Sequence, residues 1–112
     1  MKVILHVNEN DHFKIALGNI KNLLSSGEQV QIELLVHNDP IRFLTKDFSK
    51  ESHFIEALED ISEKGVVIAA CNNTLNNLNI RKEDLLDFIT VVPAGVLELI
   101  KKQEEGFAYV KP

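Results

Sequence analysis

Cys71 is the only cysteine among the 112 residues. It closes the apolar run Val66-Val67-Ile68-Ala69-Ala70 and directly precedes the polar triplet Asn72-Asn73-Thr74. The apolar run predicts a strand and the triplet predicts a helix start. Open α/β sheets bind ligands in the crevice beyond their strand carboxyl ends. Amide N–H groups and the positive helix end there favour a thiolate over a thiol. Covalent chemistry, if this chain performs any, belongs at Cys71, with its sulfur open to solvent. The same residue also fits a plainer role as a small buried side chain kept for packing.

Other polar residues follow other apolar runs. In a parallel sheet all strand carboxyl ends lie on one edge. His6 and Asn8 come from the first run, His37, Asn38 and Asp39 from the second, Cys71, Asn72 and Asn73 from the third, and Pro93 and Gly95 from the fourth. These residues are the expected lining of a binding site around Cys71. Local roles compete: Asn and Asp after strands commonly serve as caps and turns, and His6, inside an apolar strand, suits a buried hydrogen-bonded ring.

Several chemistries lack their residues. No glycine-rich dinucleotide fingerprint follows the first strand, and no phosphate-binding Gly/Lys/Ser loop is present. No Gly-x-Ser-x-Gly elbow exists for a serine hydrolase. His6, His12, His37 and His53 lack metal-ligand spacing, so no metal site and no cofactor are expected. A net charge of −5 without a basic cluster argues against nucleic-acid binding. The apolar runs are too short to cross a bilayer. The first residues enter a strand pattern at once and show no export signal, so a cytoplasmic location is expected. A lone cysteine forms no internal disulfide, which agrees with a reducing compartment.

The elements that must position these residues alternate along the whole chain. Val3 to Val7 predicts a first strand. A helix then carries Phe13, Ala16, Leu17, Ile20, Leu23 and Leu24 on one face, capped by Asn10 or Asp11 and ending at Gly27. Val30 to Val36 predicts a second strand, followed by a turn at His37 to Pro40 and a short helix through Leu44. Lys46 to Ser52 reads as a polar loop. The next helix directs Phe54, Ala57, Leu58 and Ile61 inward. Val66 to Ala70 is the third strand, with short helical segments at Thr74 to Leu78 and Ile80 to Leu86. Phe88 to Val92 is the fourth strand. Ala94 to Glu105 is a last helix with Val96, Leu97, Leu99 and Ile100 inward, and Phe107 to Val110 is a final strand. Phe43, Phe48 and Phe54 either pack on a neighbouring subunit or cap the sheet locally. At 112 residues, with 45% hydrophobic and 26% charged residues, the chain fits one domain over 1–112, with a mostly parallel sheet and helices on both faces.

Three segments together resemble the DsrE/DsrF-like family, closest to its small stand-alone branch. They are Lys2-Val3-Ile4-Leu5-His6-Val7-Asn8-Glu9, Ala69-Ala70-Cys71-Asn72-Asn73-Thr74-Leu75, and Val91-Val92-Pro93-Ala94-Gly95-Val96 with Gly106-Phe107-Ala108-Tyr109-Val110-Lys111-Pro112. The resemblance implies a three-layer α/β/α sandwich around a mainly parallel sheet of about five strands. It also implies homo-oligomers, often trimers or hexamers. In sulfur-oxidising members and related tRNA-thiolation proteins a cysteine carries sulfur as a persulfide between partner proteins, and Cys71 matches the cysteine common in this branch. The implied activity is at most sulfur transfer, with donor and acceptor proteins as partners. The lone cysteine means that any acceptor is another molecule. The alternative is a non-catalytic oligomeric module that binds a small ligand or partner, with Cys71 structural or redox-sensing.

Overall fold

The computed structural model describes Met1–Pro112. Five strands form one all-parallel sheet: β1 (Lys2–Val7), β2 (Gln31–Val36), β3 (Val67–Cys71), β4 (Thr90–Val92) and β5 (Ala108–Val110), in the spatial order β4-β3-β2-β1-β5. The helices are α1 (Phe13–Leu24), α2 (Lys46–Glu51), α3 (Ile55–Glu63), α4 (Asn72–Asn77) and α5 (Gly95–Glu104). No helix is long and apolar enough to cross a membrane. The α/β fold expected from the sequence is the fold observed.

The strand order decides which face each helix covers. From β1 to β4 the chain steps in one direction across the sheet. It then returns over β3, β2 and β1 to place β5 at the far edge. Right-handed crossovers put the helices of the first three connections on one face and that of the reversed connection on the other. Packing follows this rule. Leu17 and Ile20 of α1, Leu58 and Ile61 of α3 and Leu75 of α4 share one large core with Leu5, Leu34 and Ile68 of the sheet. On the opposite face Leu99 of α5 packs against Ile4, Leu35, Ala69, Val92 and Phe107.

Several local expectations change. Lys46–Glu51 is helix α2 and not a loop, because Thr45 caps it by accepting a hydrogen bond from the Phe48 N–H at 3.3 Å and Asp47 lies in its first turn. Neither Asn10 nor Asp11 caps α1. A 3₁₀ turn at Asn10–His12 leads into it, and the His12 N–H is satisfied by the Glu9 carbonyl. The fourth strand is only Thr90–Val92, since the Ile89 N–H turns back to the Leu86 carbonyl. Ala57 is exposed. Phe43 meets Phe54 edge to face, both rings lie tilted against buried Phe13, and Phe48 stacks on Phe43, so the three phenylalanines pack locally on one another. The largest departure is α5. Val96, Leu97 and Ile100 point away from the core and are 65%, 41% and 52% exposed, while Leu99 packs inward. One helix is too narrow to cover this face, so Val67 of β3 is left exposed there too.

The same face buries a carboxylate. Glu33, in the middle of β2, is 3% exposed and has one oxygen, Oε2, without a hydrogen-bond partner. Its other oxygen lies 3.8 Å from Lys102 Nζ on α5. Burial, followed by a hydrogen bond shared with the Glu98 carboxyl, pushes Glu33 up to about 8, against a weaker opposing pull from Lys102. The folded protein therefore holds a proton that the unfolded chain releases near 4.5. This contribution to stability is complete below that pH and is lost as pH rises through about 8. Glu33→Gln should remove that slope. Denaturant melts should show little change at pH 5 and a stabilisation on the order of 2 kcal/mol at pH 9.

Candidate functional site

The reversal of chain direction has a local result at the end of β3. From there the chain passes to α4 on one face, whereas from the end of the adjacent β4 it passes to α5 on the other. This divergence is the topological switch point of the sheet. Cys71 is the last residue of β3, paired in register with Val92 of β4. Both helix starts direct donors at its sulfur. The Gly95 N–H, opening α5, donates to Sγ at 3.3 Å. At the start of α4 the N–H groups of Thr74 and Asn73 and the Thr74 hydroxyl also favour the charged form of the sulfur. Burial pushes the thiol up, but these groups together outweigh it and leave Cys71 below the ordinary thiol value.

The sulfur does not open freely to solvent. Cys71 is 3% exposed, which corrects the expectation of an accessible thiol. Cys71 belongs to the large apolar core, and the Gly95 N–H is the polar group that meets its sulfur.

Two histidines meet beside this cradle. His6 Nε2 lies 2.7 Å from His37 Nδ1, and His6 Nδ1 lies 2.9 Å from the Tyr109 hydroxyl. The two imidazoles meet edge to face. Burial, then neighbouring His37, then Lys111 lower His6 to about 4. Burial also lowers His37. Both rings are therefore neutral at pH 7, so no imidazolium contributes to the lowering at Cys71. The far edge of the His37 ring occupies the space that a Cβ on Gly95 would fill. Gly95 thus touches the sulfur through its N–H and the imidazole through its Cα.

The remaining expected residues divide. Asn8 and Asn38 border a cleft of about 500 Å³ with Asn10, Asp39, Thr74 and Asn77. The Asn8 amide oxygen is buried without a partner. Asn38 has φ 59° and ψ −155°, a conformation that costs a non-glycine residue about 1–3 kcal/mol. Its N–H donates to Thr74 Oγ1 at 3.3 Å, tying the cleft to the hydroxyl that faces Cys71. Asn73 serves through its backbone, with its side chain exposed. Asn72 borders a separate shallow cleft with Asn76 and Asn79, and neither Asn72 nor Asn73 caps α4. Pro93 is exposed and leads the chain toward Gly95. No three His, Cys, Asp or Glu side chains are placed to hold a metal ion.

Thr74 and Tyr109 join the site beyond the residues expected. Thr74 directly follows the singled-out Asn pair, and helix geometry turns its side chain back toward the preceding turn. Tyr109 pairs in register with Ile4, two residues before His6 on the same strand face. Its place depends on β5 lying beside β1, which strand and helix patterns do not encode.

The comparisons agree with this architecture. The chain superposes on a protein of unknown function from Methanobacterium thermoautotrophicum with a TM-score of 0.89 and 28% identity, over 99% of this chain and 98% of that one. A conserved protein of unknown function from Bacteroides thetaiotaomicron shares the fold, with a TM-score of 0.65 and 15% identity over 99% and 94% of the two chains. No curated protein matches. The family model for the DsrE/DsrF-like family matches residues 1–112, and the chain belongs to that family.

Proposed function

We propose that the protein is a persulfide carrier in a reducing compartment such as the cytoplasm, with Cys71 as the sulfur acceptor. The observation that carries this reading is the Gly95 N–H donating to the Cys71 sulfur at the start of α5, with the start of α4 also favouring its charged form. A thiol sulfur is a weak acceptor, and a packing cysteine needs no such cradle. A thiolate does, and it is the nucleophile that attacks a donor persulfide. Cys71 S⁻ attacks the outer sulfur of a donor R–S–SH, the donor S–S bond breaks, and R–S⁻ leaves. Cys71–S–SH then passes its outer sulfur to the thiol of a second molecule. Burial of Cys71 favours one alternative, a structural cysteine in a non-catalytic binding module.

Incubation with inorganic polysulfide should add one sulfur to the intact mass of the wild type and none to Cys71→Ser. The small inorganic donor should load faster than a bulky protein persulfide, because Cys71 is buried. Alkylation by iodoacetamide should be slow in absolute rate, with a pH midpoint below the ordinary thiol value of about 8.5. An ordinary midpoint together with no added sulfur would leave the structural role.

We further propose that the protein self-associates through the exposed face of α5 and β3. Val67, Val96, Leu97 and Ile100 supply an apolar surface where the sheet has only one helix to cover it. Light scattering should report a species larger than 12.6 kDa at micromolar concentration, and Val96→Glu with Ile100→Glu should reduce it to the monomer. A wild-type monomer under those conditions would remove this interface.

A further inference from the structure

We propose that Tyr109, His6 and His37 form a proton wire linking bulk water to the sulfur chemistry at Cys71, with His37 Nε2 as its inner end. The inference rests on the sulfur-acceptor reading for its role, and on geometry for its existence. Cys71 is almost wholly buried, so with a donor or acceptor seated at the sulfur bulk water is excluded and a proton is best moved through the protein. The three residues supply one. Tyr109, 42% exposed, stands at the sheet edge, and contacts of 2.9 Å and 2.7 Å run from its hydroxyl through His6 to His37 Nδ1. The His37 ring rests on Gly95, whose N–H touches the sulfur.

A neutral imidazole has one N–H and one lone pair, so the chain has two self-consistent arrangements. In one, the Tyr109 O–H donates to His6 Nδ1, the His6 Nε2–H donates to His37 Nδ1, and His37 Nε2 carries a proton. In the other every donor is reversed, and His37 Nε2 is a free base. Moving one proton along the chain converts one arrangement into the other and leaves both rings neutral. That neutrality suits two half-buried histidines whose charged forms burial disfavours.

The two arrangements match the two halves of a sulfur relay. During loading the departing R–S⁻ takes the His37 Nε2 proton. His37 Nδ1 then takes one from His6 Nε2, His6 Nδ1 takes one from Tyr109, and Tyr109 regains one from water. During delivery the acceptor R′–SH gives its proton to the now basic His37 Nε2. The displacements reverse, and a proton leaves to water at Tyr109. The acceptor thiolate takes the outer sulfur, and Cys71 departs as thiolate. The chain is then back in its first arrangement, with no external oxidant or reductant.

The test uses the intact protein. His6→Gln keeps hydrogen-bonding groups but cannot switch tautomer, and Tyr109→Phe keeps the ring but removes the outer hydroxyl. Both should slow loading by polysulfide roughly tenfold or more while leaving the Cys71 alkylation midpoint unchanged. Ring-nitrogen NMR shifts of His37 should respond to Tyr109→Phe together with those of His6. Loading within twofold of wild type in both variants would overturn the wire. So would His37 nitrogen shifts indifferent to Tyr109→Phe. If wild-type Cys71 takes up no sulfur, the acceptor reading fails, and the nitrogen shifts alone decide whether the wire exists.

Discussion

One topological constraint underlies the site: β5 lies on the far side of β1, so the chain must reverse its direction of travel after β4. Right-handed crossovers then require α5 to lie on the face opposite α1, α3 and α4. Two helices consequently start from neighbouring strand ends and diverge across the sheet. The end of β3 is held between them. Groups from both helix starts, with the Thr74 hydroxyl, outweigh burial and lower the thiol at Cys71. The sulfur environment is thus a product of strand order more than of any single residue.

The same reversal makes the sheet lopsided. The face bearing α1, α3 and α4 is an ordinary apolar core, in which phenylalanine and aliphatic side chains fill the space. The face bearing α5 has a five-residue core and collects the buried titratable groups. Glu33, His6 and His37 belong to it, with exposed Tyr109 beside them, by the alternation of side chains along β1, β2 and β5. Burial pushes Glu33 toward its protonated form and the two histidines toward their neutral forms. Only Cys71 is pushed toward its charged form, and the Gly95 N–H donates to its sulfur.

Much of this was legible in the residues. Apolar runs separated by amphipathic helices lead to a parallel sheet, and Cys71 falls at a strand end before a helix start as its neighbours suggest. The gathering of His6 and His37 follows from the common edge of parallel strands. Strand order was not legible, because it depends on long-range packing, and Tyr109 was hidden with it. The apolar spacing of Val96, Leu97, Leu99 and Ile100 suggested an inward stripe. Periodicity records that such residues share a surface, not that the fold supplies anything to cover it. Lys46 to Glu51 was too polar to suggest a helix, and Thr45 supplied the cap that decided it.

Gly95 combines two demands on one small residue. Its nitrogen serves the sulfur, and its bare α-carbon makes room for the His37 ring. Any side chain at this position would collide with the imidazole, so positions 37 and 95 must be read as a unit. A related chain carrying alanine or serine at the equivalent of Gly95 would have to give up a histidine seated in this way. A glycine there is accordingly a marker, readable without coordinates, for chains in which that imidazole can rest against the helix that holds the thiolate.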